Sequence, residues 1–289
     1  MKINGKYRGI FFIILSSLSF ACMNVCVRLA GDIPTFQKSF FRNAVALIIA
    51  SAVIIKNHQS FKPQNKKNWP AFLGRAFFGT VGMLCNFYTV DHLLLSDASM
   101  LNKMSPFFAV LASYFILKEE IKPTQAITLI GAFLGAMFII KPSFGNMLLG
   151  PSLLGLLGGI CAGIAYTMVR KLGIAGERGP LIVFIFSAFS CVVSLVPSIF
   201  NFCPMDFFQL ISLLGAGLFA AAGQFTITAA YCAAPAGEIS IYDYSQVIFA
   251  ALLGFVLFGD VPDVLSITGY IIICSMAIIN FRYNRKHSI

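Results

Sequence analysis

Charged residues are scarce in this sequence, and acidic residues are the scarcest. Only 11% of the 289 residues are Asp, Glu, Lys or Arg, 58% are hydrophobic, and the mean hydropathy is +0.84. A soluble domain usually contains about 25% charged residues. The composition therefore excludes an ordinary soluble protein and indicates an integral membrane protein. The 11 acidic residues stand against 21 basic ones, an imbalance that needs its own explanation.

The residue types of catalytic and metal centres are also sparse. Of the 3 His, His58 and His287 are expected in loops and His92 at a helix end. No spacing of His and Cys is typical of a zinc or redox site, and the 8 Cys are interpreted as small apolar residues. No nucleotide or cofactor motif is visible. The sequence predicts no catalytic residue, no metal site and no cofactor.

Long apolar stretches make up most of the chain. A membrane-spanning helix needs about 20 mainly apolar residues, and the short connections leave no room for a separate soluble domain. The first stretch has features of a signal peptide, but its apolar run continues to Ala30, which favours a retained helix. The ten predicted windows are 9–30, 35–55, 71–90, 96–117, 121–140, 151–170, 180–200, 207–232, 236–258 and 263–281.

The basic residues are distributed unequally between the two sides of the predicted bundle. If the N-terminus is cytoplasmic, fifteen Lys and Arg fall on the inner side, and only Lys38 and Lys141 fall on the outer side. The positive-inside rule then places both termini in the cytoplasm. The net charge of +10 is therefore attributed to topology and to lipid headgroups rather than to a nucleic acid. The expected partners are membrane lipid and a small-molecule solute, and a homodimer is left open.

The two halves of the sequence resemble each other. The stretch "SPFFAVLASYFILKEE" from Ser105 aligns with "SQVIFAALLGFVLFGD" from Ser245, and "CVRLAG" aligns with "MVRKLG". Each half contains five predicted helices, an odd number, so the second half begins on the opposite side of the membrane. Inverted repeats of this kind are typical of secondary transporters. We predict an all-α integral membrane fold of ten transmembrane helices in two inverted five-helix repeats, residues 1–145 and 146–289.

With these motifs the sequence resembles the drug/metabolite transporter superfamily, and within it the ten-helix EamA-type permeases. The resemblance covers nearly the whole chain and is most specific at Pro106, Glu120 and Gly131. The second half has Gln246 in place of Pro106, so a kink is expected in helix four and less so in helix nine. The resemblance implies a central solute pathway in the cytoplasmic (inner) membrane. It implies no single substrate, because relatives handle amino acids, nucleotide sugars, cofactors and other metabolites.

Polar residues recur at helical spacing in six of the predicted helices. Residues three or four apart share a helix face, and because lipid surrounds the bundle, these faces are expected to converge on one interior. Any single member could instead serve an interhelical hydrogen bond, but six such faces favour a hydrated cavity. The uncharged residues predicted to bind substrate are Asn24, Asn86, Asn102, Tyr166, Gln224, Thr228, Tyr242 and Gln246.

Three charged residues, Lys103, Arg42 and Asp243, are also predicted to bind substrate. Each lies inside a predicted span, where a charge costs about 3 kcal/mol or more and therefore faces a partner or water. Two interpretations stay open. Lys103 and Asp243, at corresponding positions of the two halves, could form a structural ion pair. Alternatively, Lys103 and Arg42 bind the carboxylate or phosphate of a solute, and Asp243 binds its amino group or a proton.

The predicted function is a secondary transporter that moves a small anionic or zwitterionic metabolite, such as an amino acid, by alternating access. The alternatives are an intramembrane enzyme acting on a lipid-linked substrate and a cationic drug efflux pump. A four-helix multidrug exporter would be expected to carry an acid in its first helix, where this sequence has Asn24.

Arg28, Arg75 and Arg170 are expected to reach the membrane interface from helix ends.

Overall fold

The structure is a computed structural model that describes residues 5–92, 101–140, 149–259 and 263–286. These residues contain no β-strand, and their ten main helices follow the ten predicted windows in number and order. The helices are α1 (Gly5–Leu29), α2 (Thr35–Lys56), α3 (Trp69–His92), α4 (Ser105–Leu117), α5 (Pro123–Ile140), α6 (Leu149–Ile174), α7 (Gly179–Phe200), α8 (Phe207–Ala233), α9 (Ser245–Phe258) and α10 (Val264–Lys286).

Most of these helices have the length and composition of membrane spans. Seven segments of the described chain are long and apolar enough to cross a membrane, namely α1, α2, α6, α7, α8, Ala236–Leu257 and most of α10, while α4 and α5 provide shorter apolar helices. Large apolar side chains such as Ile48, Ile127, Val192 and Val256 remain largely exposed on the outside of the bundle. An apolar outer surface of this extent suits lipid rather than water. The protein is a multi-pass membrane protein.

Each central helix packs on a helix of the other half of the chain. α1 packs along α8 and α3 along α6, α4 contacts α6, and α9 contacts α1. α2 packs on α7 between these pairs, and α5 and α10 pack on each other. The centre of the molecule is therefore formed jointly by residues that lie far apart in the sequence.

Glycine allows the closest of these helix contacts. A Cβ atom on Gly163 of α6 would lie 2.6 Å from the Cβ of Phe108 and 2.7 Å from the backbone nitrogen of Ala109 in α4. Small residues let helix backbones approach inside a membrane, where apolar side chains gain little by leaving lipid. Cβ atoms on Gly155 and Gly159 of the same helix would come similarly close to Leu101, so the strip of Gly155, Gly159 and Gly163 is a packing surface.

Two predicted helices are interrupted near their starts. Helix four has a turn at Lys103 and Met104, and α4 begins after it with Pro106 in its first turn. Proline is tolerated at that position because the N–H that it lacks would have no helical partner. Helix four is thus interrupted by a turn at the position where the kink is expected. The residues before position 101 lie outside the described ranges.

The second interruption corrects the prediction for helix nine. Instead of one helix over 236–258, the chain forms a one-turn helix at Ala236–Ile239, a 3-10 turn at Ser240–Tyr244, and only then α9. Asp243 therefore lies in a 3-10 turn and not on the face of an α-helix. The absence of a proline at Gln246 does not preserve a continuous helix, so the two halves are interrupted at corresponding positions.

Candidate solute-binding site

A cavity of about 870 Å³ lies in the middle of the bundle and is open at one end. Its open end, called the mouth below, is formed at the α1–α2 connection by Arg28, Gly31, Asp32 and Lys38. The structure brings nine of the eleven predicted binding residues together on the cavity wall. They are Asn24, Arg42, Asn86, Asn102, Lys103, Tyr166, Gln224, Asp243 and Gln246.

The other two predicted residues, Thr228 and Tyr242, do not line the cavity. Thr228 is buried between α7 and α8, and its hydroxyl has no hydrogen-bond partner in the described part of the chain. The Tyr242 hydroxyl donates to the carbonyl of Ala277 in α10 at 3.4 Å. Tyr242 was placed by assuming a continuous helix, and the 3-10 turn changes the direction of its side chain.

Lys103 and Asp243 form an ion pair in the cavity wall. The Lys103 Nζ lies 3.2 Å from Asp243 Oδ2 and also donates to Gln246 Oε1 at 2.7 Å. Both residues are buried, at 5% and 7% exposure. The structural pair is therefore present, and both members line the cavity.

The two interruptions also satisfy each other's backbone groups. The Tyr244 hydroxyl donates to the Lys103 carbonyl at 3.0 Å, and the Asp243 carbonyl accepts from Lys103 Nζ at 3.3 Å and from the Ser17 hydroxyl at 3.4 Å. A carbonyl released from a helix inside the membrane needs such a partner. Each half thus supplies side chains that stabilise the break in the other half.

Arg75 is a cavity residue that the sequence analysis assigned wrongly to the membrane interface. It is only 3% exposed, and its Nη2 donates to Gln224 Oε1 at 2.8 Å. Its guanidinium lies over the ring of Phe186, 4.0 Å from the ring centre. The helical spacing of Arg75, Gly79 and Asn86 on α3 was the signal for this position, and all three line the cavity.

Arg42 is the second buried arginine of the cavity wall. It is 7% exposed and lies over the ring of Phe87, 6.0 Å from the ring centre. Its Nε has no hydrogen-bond partner among the described residues, and the same is true of the Nε of Arg75. Since a buried guanidinium normally has its N–H groups paired, the free donors are available to a solute or to water.

The charges around the cavity are mostly positive, and the positive ones share an origin. Among the described residues of the wall and mouth, all the basic side chains come from the first half of the chain, whereas the second half contributes only neutral residues and Asp243. One basic and one acidic residue, Lys103 and Asp243, neutralise each other. The charged residues of the wall and mouth are Arg28, Lys38, Arg42, Arg75 and Lys103 against Asp32 and Asp243.

The end of the bundle opposite the mouth is closed by contacts between α6, α8 and the α4–α5 connection. The rings of Tyr166 and Tyr231 stack with centres 5.0 Å apart. Beyond them, Arg170 Nε lies 2.8 Å from Glu119 Oε1, and Arg170 also donates to the Cys232 carbonyl at 3.4 Å. These five residues define the closed end. Arg170, near the end of α6, is therefore held in an ion pair with the α4–α5 connection.

Away from the cavity, another acidic residue has a structural role. Glu177, at the α6–α7 connection, accepts hydrogen bonds from the backbone of Gln64 and Asn65 and from the Asn68 side chain at 2.7–3.3 Å. These bonds fasten the α2–α3 loop to the other half of the chain. Within the described ranges, no group of three His, Cys, Asp or Glu could hold a metal ion.

Comparisons with known proteins agree with this architecture. The EamA-like transporter family matches residues 7–141. The pseudopaline exporter CntI of Pseudomonas aeruginosa is 30% identical over 268 residues, which cover 92% of this chain and 93% of the exporter. An uncharacterized transporter of Helicobacter pylori is 28% identical over 285 residues, 92% of each chain. A crystal structure of a protein that is 13% identical has the same fold, with a TM-score of 0.82 over 97% of this chain and 99% of that chain.

The relatives are named as transporters and not as enzymes, and the similarity to the exporter extends over nearly the full length of both proteins. The family match covers α1 to α5, the part of the chain that provides every basic side chain among the described cavity residues. The chain therefore belongs to the EamA-like transporter family.

Proposed function

We propose that the protein is a secondary transporter of the cytoplasmic membrane that moves a small anionic or zwitterionic metabolite through the central cavity. The observation that carries this proposal is the charge of the cavity, where the described residues contribute five basic side chains against two acidic ones. An excess of one charge in a low-dielectric cleft attracts solutes of the opposite charge. Amino acids and related metabolites fit this description better than cationic drugs do.

The arrangement of helix contacts supports two inverted repeats, residues 1–145 and 146–289. Suppose that α1 to α5 correspond in order to α6 to α10. The α1–α8 contact is then equivalent to α6–α3, the α4–α6 contact to α9–α1, and the α2–α8 contact to α7–α3, and all six contacts are present. The α2–α7 and α5–α10 contacts, which are also present, each join two corresponding helices. Two halves related by a two-fold axis in the membrane plane would have this pattern.

One contact without a counterpart supports alternating access. α6 packs on α8, whereas α1 and α3, the corresponding helices, have no comparably extensive contact among the described residues, and the mouth opens beside them. With both termini in the cytoplasm, as the basic residues favour, the mouth faces outward and the closed end faces inward. If α1 packed on α3 and α6 separated from α8, the mouth would close and the cavity would open to the cytoplasm. The relation to a pseudopaline exporter favours export as the direction.

Proteoliposomes test this function directly. Full-length protein is reconstituted, and counterflow is measured for radiolabelled amino acids, organic anions, nucleotide derivatives and organic cations. We expect saturable flux of anions or zwitterions that protein-free liposomes lack, because only these solutes complement the cavity charge. Flux restricted to cations would instead support a drug exporter. Turnover of a lipid-linked substrate without solute flux would support an intramembrane enzyme.

A further inference from the structure

Two arginines in the cavity have no acidic partner among the described residues. Arg42 makes no hydrogen bond to the described protein atoms, and Arg75 makes only the bond to the neutral side-chain oxygen of Gln224. A guanidinium carries five N–H donors, so most of the donors of both residues are unused. Lys103 differs from them, because Asp243 and Gln246 occupy its ammonium group.

Unpaired charges at this depth are costly for a membrane protein to retain. Burial of an ionised group without a partner is strongly unfavourable, and such residues in membranes usually mark a substrate or ion pathway. A neutral side chain at Arg42 would avoid this cost without losing any hydrogen bond to the described residues. The position of both guanidiniums on the cavity wall therefore points to an anionic ligand for each.

The two arginines form separate binding places within one cavity. Arg42 belongs to α2 and lies beside Phe87, whereas Arg75 belongs to α3 and lies between Phe186 and Gln224. Both guanidiniums nevertheless line the same cavity. Two like charges repel, so an acidic group bound at each arginine would relieve both the burial and the repulsion.

Gly79 leaves the space that the Arg75 guanidinium occupies. The Arg75 side chain runs along α3 across this glycine, and a Cβ atom at position 79 would collide with Arg75 Nη1 and lie 2.8 Å from a ring carbon of Phe186. The absence of a side chain at Gly79 thus lets the guanidinium lie flat between α3 and the Phe186 ring. Gly79 is a positioning residue that contributes no charge of its own.

We propose that Arg42 and Arg75 bind two acidic groups of one solute, so that the transporter prefers solutes with at least two carboxylates. A guanidinium matches a carboxylate with two parallel hydrogen bonds, which makes each arginine selective for an acidic group over an amide. The amides of Asn86 and Gln246 remain for the part of the solute between its acidic ends. This inference rests on the proposed function of the cavity and specifies its substrate class.

Matched pairs of ligands test the two-acid site. The probes are L-glutamate with L-glutamine, and γ-L-glutamyl-L-alanine with its C-terminal amide, titrated calorimetrically into full-length purified protein. We expect each diacid to bind about tenfold tighter than its amide, because one charge-assisted interaction is lost with the second carboxylate. Arg42→Gln and Arg75→Gln should each reduce this ratio to about one. Arg282→Gln, an exposed residue of α10, should leave it unchanged.

Two further variants separate binding from folding. Gly79→Ala keeps every charge but displaces the Arg75 guanidinium, and should lower the diacid preference. Arg42→Gln should keep or raise the melting temperature of the ligand-free protein, whereas a structural arginine would lower it. Equal affinities for diacid and amide, or no diacid binding at millimolar concentration, would overturn the two-acid site. Measured flux of a monoacid together with equal affinities would leave the transporter function standing, whereas absence of all solute flux would overturn that function.

Discussion

The two halves of the chain have the same order of helices but present different charges to the cavity. At corresponding places both halves interrupt a helix, and the interruption carries a cation, Lys103, in the first half and an anion, Asp243, in the second. Among the described residues, the other basic side chains of the wall belong to the first half alone. Similar helices in the two halves thus carry different charges into the cavity, and the Asp243 carboxylate of the second half neutralises the Lys103 ammonium of the first.

Breaking the charge pair between the halves should have the largest effect. Removing one member leaves a buried charge uncompensated, so Lys103→Met or Asp243→Asn should each destabilise the protein by about 3–5 kcal/mol. The double variant, in which both charges are gone, should recover much of this loss. Thermal unfolding in detergent measures the effect. Additive losses in the double variant would contradict a direct pair.

The next largest loss of stability is expected at the contact of α4 with α6, which corresponds to the contact of α9 with α1 in the other half. Gly163→Val would force side-chain atoms into Phe108 and the backbone of α4, and overpacking of this kind costs about 1–3 kcal/mol. Gly150→Ala, near the start of the same helix, is the matched control, since no atom of the described chain lies within 4 Å of its would-be Cβ. An equal melting temperature for the two variants would show that the close approach is not required.

The smallest change in stability is expected at the closed end, which lies opposite the mouth. Glu119→Gln weakens a partly exposed ion pair with Arg170 that contributes about 1 kcal/mol or less. The ratio of protein with this end open to protein with it closed should therefore rise by a few fold. The readout is the rate at which a membrane-impermeant thiol reagent labels Cys232 as the sole cysteine, in inverted vesicles. Glu120→Gln, an exposed neighbour, is the control, and unchanged labelling in Glu119→Gln would argue against this gate.

The positions of the helices could be predicted well from the sequence, but the interruptions within them could not. Apolar windows locate helices because each span must be covered by lipid or by other helices, and all ten were found. The same windows contain no information on where a helix breaks, so Asp243 and Tyr242 were placed on a continuous helix. In the 3-10 turn, the Asp243 carbonyl accepts hydrogen bonds from Lys103 and Ser17, contacts that connect distant parts of the chain.

The depth of the arginines was harder to predict than their helix. Arg75 lies near the start of α3, and counting residues from that end placed it at the interface. Its long side chain instead runs across Gly79 toward the cavity, a direction that depends on a missing side chain and on Phe186 of α7. The pairing of Arg170 with Glu119 likewise joins residues far apart in the sequence. Neither arrangement follows from helical periodicity alone.

The reciprocal hydrogen bonds between the two interruptions have a mechanical consequence. The Tyr244 hydroxyl donates to the Lys103 carbonyl, and the Lys103 ammonium donates to the Asp243 carbonyl, so each interruption depends on the other for a backbone hydrogen bond. If the two halves rock against each other during transport, as we propose, a rotation about this contact would keep both bonds, whereas sliding of one half along the other would break them. Such a rotation would narrow the mouth as it widened the closed end.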